Sequence, residues 1–311
     1  MPPPRRRLAA LAALAALSVA LTACGEDDAS SGGAQIVVTT PVLGAVVEDL
    51  VADAAEVRVL IPNGVDPHDY QPSAQDVGAL EEADLVVENG LDLEEGLEDP
   101  LGEVRGEEGR VFTATDHIDV RVAGEDPHAG EEEHAGDEEH GPEDPHFWMD
   151  PASMAAVVTA LGPVLRNRLG LDLGDRAQAA AAGLEALDAQ VEKALAPIPA
   201  RSRRLVTGHE SMGYFARRYD FELVGALIPS LSSQAQASAA NLAALRAQVE
   251  REGVPAIFTE AGTPAGVAEA ISRETGARVL EIGTHALPED GSYATFMRRA
   301  AATVRDGLTG S

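Results

Sequence analysis

Gln35-Ile-Val-Val-Thr-Thr-Pro-Val-Leu-Gly-Ala-Val-Val-Glu-Asp-Leu-Val-Ala-Asp53, with Val57-Arg-Val-Leu-Ile61 just after it, decides the architecture. Residues 35–40 form an apolar, β-branched run that reads as a buried strand. Residues 41–53 switch to helical periodicity, and 57–61 return to a strand that ends at Pro62-Asn63-Gly64. The alternation continues. Residues 73–83 read as a helix with Ser73 and Asp76 at its start, 84–88 as a strand, 91–104 as a helix and 109–113 as a strand. Strands separated by helices imply βαβ units and a parallel sheet.

The rhythm resumes in the second half. Strands are expected at 204–207, 222–226, 255–259 and 278–282, and helices at 210–219, 239–252, 264–275 and 292–308. Between the halves, 150–169 reads as a helix capped by Asp150 or Ser153. Residues 175–196 place Leu184, Leu187, Val191 and Leu195 on one stripe, a long amphipathic helix stopped by Pro197 and Pro199. The expected fold is therefore α/β: two parallel-sheet lobes of about four βα units each, 35–172 and 198–311, joined by a helix over 173–197.

Composition narrows the function. With 52 acidic and 23 basic residues the net charge is −29. No basic stripe exists to neutralise phosphates, so nucleic acid is not a partner. An acidic surface suits a protein that gathers cations, although most such surfaces only keep a protein soluble. The N-terminus, residues 1–23, reads as a signal peptide: Arg5, Arg6 and Arg7 precede an apolar run over 8–21 that is too short to span a bilayer. Leu21-Thr-Ala-Cys24 looks like a bacterial lipobox, which would make Cys24 the lipidated first residue and 24–34 a flexible tether. Cys24 is the only cysteine, so no thiolate pair is available for metal or disulfide.

Three of the eight histidines share one tripeptide: Asp66-Pro-His68, Asp126-Pro-His128 and Asp144-Pro-His146. Proline fixes φ and pushes the preceding Asp toward extended geometry, which stiffens the approach of the imidazole. His128, His134, His140 and His146 are spaced six residues apart, the first three within an acidic tract, 124–145, and the last just after it. Six residues advance about 600° on a helix, so these imidazoles would share no face. The tract has almost nothing apolar to bury and reads as a mobile loop, an auxiliary metal collector or a dispensable insert. His68, His209 and His285 each follow a strand, where open parallel sheets bind ligands. His146 stands where the loop re-enters the fold, beside the only tryptophan, in Phe147-Trp-Met-Asp-Pro151. The candidates come from both halves, so a shared metal would sit between them. His117 follows the fourth strand and is a weaker candidate.

The segments Asn63-Gly-Val-Asp-Pro-His-Asp-Tyr-Gln-Pro-Ser73, Asp144-Pro-His-Phe-Trp-Met-Asp-Pro151 and Val206-Thr-Gly-His-Glu-Ser-Met-Gly-Tyr-Phe215 resemble, in order, the signatures of the zinc/manganese solute-binding proteins of bacterial ABC transporters (metal-binding cluster A-I). The resemblance spans nearly all of the chain after the lipobox. It implies two α/β lobes joined by one long rigid helix, metal in the inter-lobe cleft, and His68, His146 and His209 as ligands. His285 stands where the family usually carries an Asp; Glu281 is the alternative fourth ligand, and water can also complete the site. A histidine at the third position resembles the zinc branch, and nitrogen-rich tetrahedral sites suit Zn2+ better than Mn2+.

The expected function is capture of Zn2+ by a monomeric lipoprotein on the outer face of the cytoplasmic membrane, for delivery to an ABC permease and its ATPase. A manganese-specific solute-binding protein and a metal-buffering or adhesin lipoprotein are the alternatives. A zinc hydrolase is the remote one. Glu210 beside His209 can be imagined as a general base, but there is no His-Glu-x-x-His helix and no Gly-x-Ser-x-Gly elbow.

Overall fold

The computed structural model describes residues 33–124 and 141–310. It contains two four-stranded, all-parallel sheets. The first holds β1 (Gln35–Val38), β2 (Glu56–Val59), β3 (Leu85–Glu88) and β4 (Val111–Thr113) in the order β2-β1-β3-β4. The second holds β5 (Arg204–Thr207), β6 (Glu222–Ala226), β7 (Ala256–Thr259) and β8 (Arg278–Glu281) in the order β6-β5-β7-β8. Each sheet thus has a switch point, between β1 and β3 and between β5 and β7. Crevices open there beyond the strand C-termini. The central strands are buried Val, Ile and Leu runs, whereas the edge strands β2, β6 and β8 keep Glu56, Glu222, Arg278 and Glu281 exposed.

Helices α1 (Pro41–Val51), α2 (Ala74–Glu82) and α3 (Glu98–Arg105) cover the first sheet. Pro41 opens α1, where its missing N–H costs nothing. Ser73 caps α2 in a reciprocal capping box with Asp76. Helix α4 (Pro151–Leu169) is capped by Asp150 rather than Ser153 and ends at Gly170 in the left-handed region. The 20-residue α5 (Arg176–Leu195), about 30 Å long, packs against α4 and against α9 (Tyr293–Thr309). Its buried face carries the expected Leu184, Leu187, Val191 and Leu195, plus Asp188, which accepts from Arg218 Nε at 2.9 Å and Tyr219 Oη at 3.0 Å. The second half adds α6 (Gly213–Tyr219), α7 (Ala239–Glu252) and α8 (Ala265–Thr275). One apolar core runs through both halves, from Leu43, Phe147 and Leu161 to Phe215, Phe258 and Phe296.

Three expectations are corrected. The helix expected over 91–104 begins only at Glu98, because Leu91 and Asp92 adopt φ of 56° and a 3₁₀ turn fills Glu95–Leu97. Helix α6 starts at Gly213 rather than 210, since the Glu210 amide donates to Ser230 O and Ser211 turns to Glu260. The loop expected over 124–145 is held at its end. Glu143 bridges Val122 antiparallel, Ala123 N donates to Pro142 O, and Asp144 N donates to Arg121 O at 2.7 Å.

Candidate metal centre

The two described Asp-Pro-His segments use one local device. His68 N donates to Asp66 Oδ1 at 3.1 Å, and His146 N donates to Asp144 Oδ1 at 3.0 Å. The Asp side chain replaces a backbone partner across the rigid proline, as Asp does in turns. Each imidazole is thereby aimed in part by a contact only two residues away. His209 follows β5 and His285 follows β8.

The fold brings these four rings together. His68 Nε2 lies 3.3 Å from His146 Nε2, and His209 Nε2 lies 3.1 Å from His146 Nε2. Nitrogens about 2.0–2.1 Å from one ion at tetrahedral angles stand about 3.3–3.4 Å apart, so this spacing is that of ligands around a small cation. All six ring-centroid separations fall between 5.0 and 6.4 Å. Among the described residues two groups can hold an ion, with the ligand atoms of each within 4.8 Å of one another: His68, His146 and His209, and His209, Glu260 and His285. All are buried, and His285 Nε2 has no hydrogen-bond partner.

Carboxylates stand behind the rings. His146 Nδ1 donates to Asp144 Oδ1 at 2.8 Å, and His209 Nδ1 pairs with Glu260 Oε1 at 2.9 Å. Donation from Nδ1 leaves the Nε2 lone pair pointing inward, the tautomer a metal requires. Asp144 is held in turn by Arg121 Nη1 at 2.9 Å. Glu260, just past β7 at the switch point, also accepts from the Ser211 and Thr284 hydroxyls and from His209 N. Trp148 Nε1 donates to Thr284 O at 2.8 Å, which ties the His146 segment to the His285 loop.

Electrostatics follow burial. Desolvation, with repulsion from neighbouring imidazoles, pulls His68 down to about 2. Burial is also the main cause for His285, down to about 3, and for His146, where it outweighs Asp144. His209 moves the other way: burial lowers it, but the adjoining Glu260 charge and hydrogen bond raise it further. Burial works to raise Glu260, yet His209 and the Thr284 hydroxyl hold it at about 2. Burial thus drives His68, His146 and His285 toward the neutral form, while Glu260 favours the proton on His209.

Among the sequence candidates, His68, His146, His209 and His285 converge. Glu281 ends the exposed edge strand β8 and belongs to neither metal-competent group. His117 is exposed and stacks on Phe112 at 4.6 Å. His128, His134, His140 and Cys24 lie outside the described residues. Glu210 is half-buried, with its carboxyl pushed up by burial. Sequence reasoning missed Glu260, although a carboxylate directly after a strand in an α/β protein was a usable signal.

Several known proteins are similar to this chain. Residues 36–307 match the family described as zinc-uptake complex component A, periplasmic. The zinc-binding protein TroA of Treponema pallidum (strain Nichols) is 32% identical over 292 residues, covering 90% of this chain and 88% of the relative. The manganese ABC transporter substrate-binding lipoprotein PsaA of Streptococcus anginosus is 24% identical, covering 98% of this chain and 99% of the relative. The solved structure of periplasmic zinc-binding protein TroA from Treponema pallidum superposes with a TM-score of 0.74 at 26% identity, over 89% of this chain and 99% of that one. The chain belongs to the zinc-uptake complex component A family, whose members are metal-binding transport proteins and not enzymes.

Proposed function

We propose that this protein captures Zn2+ outside the cytoplasmic membrane and delivers it to an ABC permease driven by its ATPase. His68, His146, His209 and His285 are the ligands, and the protein acts as a monomer held at the membrane by lipid on Cys24. The observation that carries this reading is the 3.1–3.3 Å spacing of three buried Nε2 atoms, with a fourth buried and unpartnered imidazole nitrogen alongside. Four imidazoles make a closed tetrahedral site, which suits Zn2+; Mn2+ prefers oxygen donors and higher coordination. The deciding experiment is metal analysis plus zinc and manganese titrations of the mature protein. Zinc should bind more tightly by at least about tenfold, a difference of roughly 1.4 kcal/mol. Tighter manganese would overturn the assignment.

One observation favours the manganese alternative. Glu260 offers a carboxylate oxygen within 4.8 Å of the ligand atoms of His209 and His285. Against it, that carboxylate is already engaged by the His209 ring and by Ser211. A metal-buffering or adhesin role without transport is separated by a deletion strain. Poor growth under zinc limitation, rescued by excess zinc, supports transport.

A further inference from the structure

His68 differs from its partners in what holds it. His146 is held by Asp144, whose other oxygen is anchored by Arg121 of the same half. His209 is held by Glu260, anchored by Ser211 and Thr284, again of the same half. The His68 ring has no such anchor. Its Nδ1 is buried without a hydrogen-bond partner, and the nearest carboxylate oxygen, Glu95 Oε1, is 3.6 Å away on a half-exposed side chain. Glu95 Oε1 accepts from Ser232 Oγ at 2.7 Å, across the cleft. Asp66, which holds the His68 backbone amide, accepts through Oδ2 from Ser233 Oγ at 2.6 Å, also across the cleft. The second half approaches closely here, for a Cβ on Gly262 would come within 2.7 Å of Asp66 Oδ2. Two consecutive serines of the C-terminal half therefore bond the two carboxylates that face His68, one at its backbone and one at its ring.

We propose that Ser232 and Ser233 are positioning residues for His68, a latch that makes its place in the centre depend on closure of the two lobes. The proposal rests on the reading of His68 as a ligand. With the lobes together, Ser232 holds Glu95 near Nδ1, where its negative charge favours the proton on that nitrogen and leaves the Nε2 lone pair facing the ion. When the lobes part, both serines withdraw and Glu95 and Asp66 lose their anchors. His68 then turns away while His146 and His209, held within their own halves, stay in place. The ion drops from four protein ligands to three, and release begins at His68. Hinge closure coupled to one ligand is a familiar way to gate binding, and loss of an outer partner typically weakens metal binding 10–100-fold.

The test uses the full-length protein loaded with Zn2+ and a stopped-flow chase into excess chelator. The Ser232→Ala/Ser233→Ala double variant should release zinc about 10-fold faster or more. Ser232→Thr, which keeps the hydroxyl, should release at the wild-type rate. Imidazole 15N resonances supply a readout that general loosening would not mimic: the double variant should broaden or shift His68 alone, leaving His146 and His209 unchanged. Release within twofold of wild type, or equal perturbation of all three rings, overturns the latch. His68→Ala separates the two readings. If it retains tight zinc, the ligand assignment fails. If it loses tight zinc while the serine variants release normally, only the latch fails.

Discussion

The Nε2 atoms of His146 and His209 lie 3.1 Å apart, and each ring is backed at Nδ1 by a buried carboxylate, Asp144 at 2.8 Å and Glu260 at 2.9 Å. With both rings neutral, two partially negative lone pairs are directed at one point and repel in the absence of a cation. The carboxylates hold them there, so the centre is organised before metal arrives.

Removing that support should cost affinity without removing a ligand. Asp144→Asn and Glu260→Gln are each expected to weaken zinc binding about 10–100-fold. Competition titration against a chelator of known strength measures it, and an unchanged affinity in both would mean that the rings are oriented by packing alone.

Affinity should fall in acid by one proton, not four. His68 and His285, at about 2 and 3, have no proton to displace over the tested range, and burial moves His146 in the same direction. His209 is raised above its usual value of 6.5 and must lose its proton to bind metal. Below its pKa the apparent zinc affinity should drop about tenfold per pH unit. Titrations from about pH 8 to about pH 5.5 should show a limiting slope near one; a slope of two or more would contradict the assignment. Glu260→Gln removes what raises His209 and should shift the fall to lower pH.

His285→Asp supplies an oxygen donor at the fourth position. Oxygen favours manganese relative to an all-imidazole set, so the zinc-to-manganese affinity ratio should narrow by about tenfold or more. Parallel titrations with the two metals read the ratio directly, and an unchanged ratio would place His285 outside the coordination sphere.

Deletion of residues 125–140 should leave one tight zinc site. The Val122–Glu143 bridge already brings the flanking segments together, so a short turn can join them. Extending the cut through Glu143 removes that bridge and the strap leading to Asp144, and affinity should then fall. Zinc stoichiometry and affinity of the two deletions distinguish the outcomes.

Glu94 is fully buried under the His146 segment, accepting from Thr39 Oγ1 and from Asn89 N at 2.8 Å, with Oε2 unpartnered. Asn89 in turn donates to Pro145 O at 2.9 Å. Burial pushes its carboxyl up to about 7, against 4.5 when unfolded. The folded state therefore favours the proton: the contribution is fully present below about pH 4.5 and is lost as pH rises to about 7. Glu94→Gln never ionises and should be more stable at pH 8 by up to about 3 kcal/mol, with little difference at pH 4.5. Thermal melts of the metal-free proteins at both pH values test the sign.

Strands β5 and β6 and helix α7 fall at the residues their hydrophobic patterns indicate, and the four histidines could be picked from strand ends and from the shared Asp-Pro-His turn. These features were legible because period, capping and turn chemistry act over a few residues. The misreading at Leu91 and Asp92 has the opposite cause: a left-handed pair at non-glycine residues leaves no local signature, since the surrounding fold imposes it. The same holds for the residues that aim the four imidazoles. Glu260 reaches His209 across 51 positions, and Ser232 reaches Glu95 across 137. Which donors the chain carries was therefore written in short-range pattern. Which nitrogen of each ring faces its neighbours, and which half of the molecule holds it there, arose from contacts made only when two sheets and one continuous core close around the cleft.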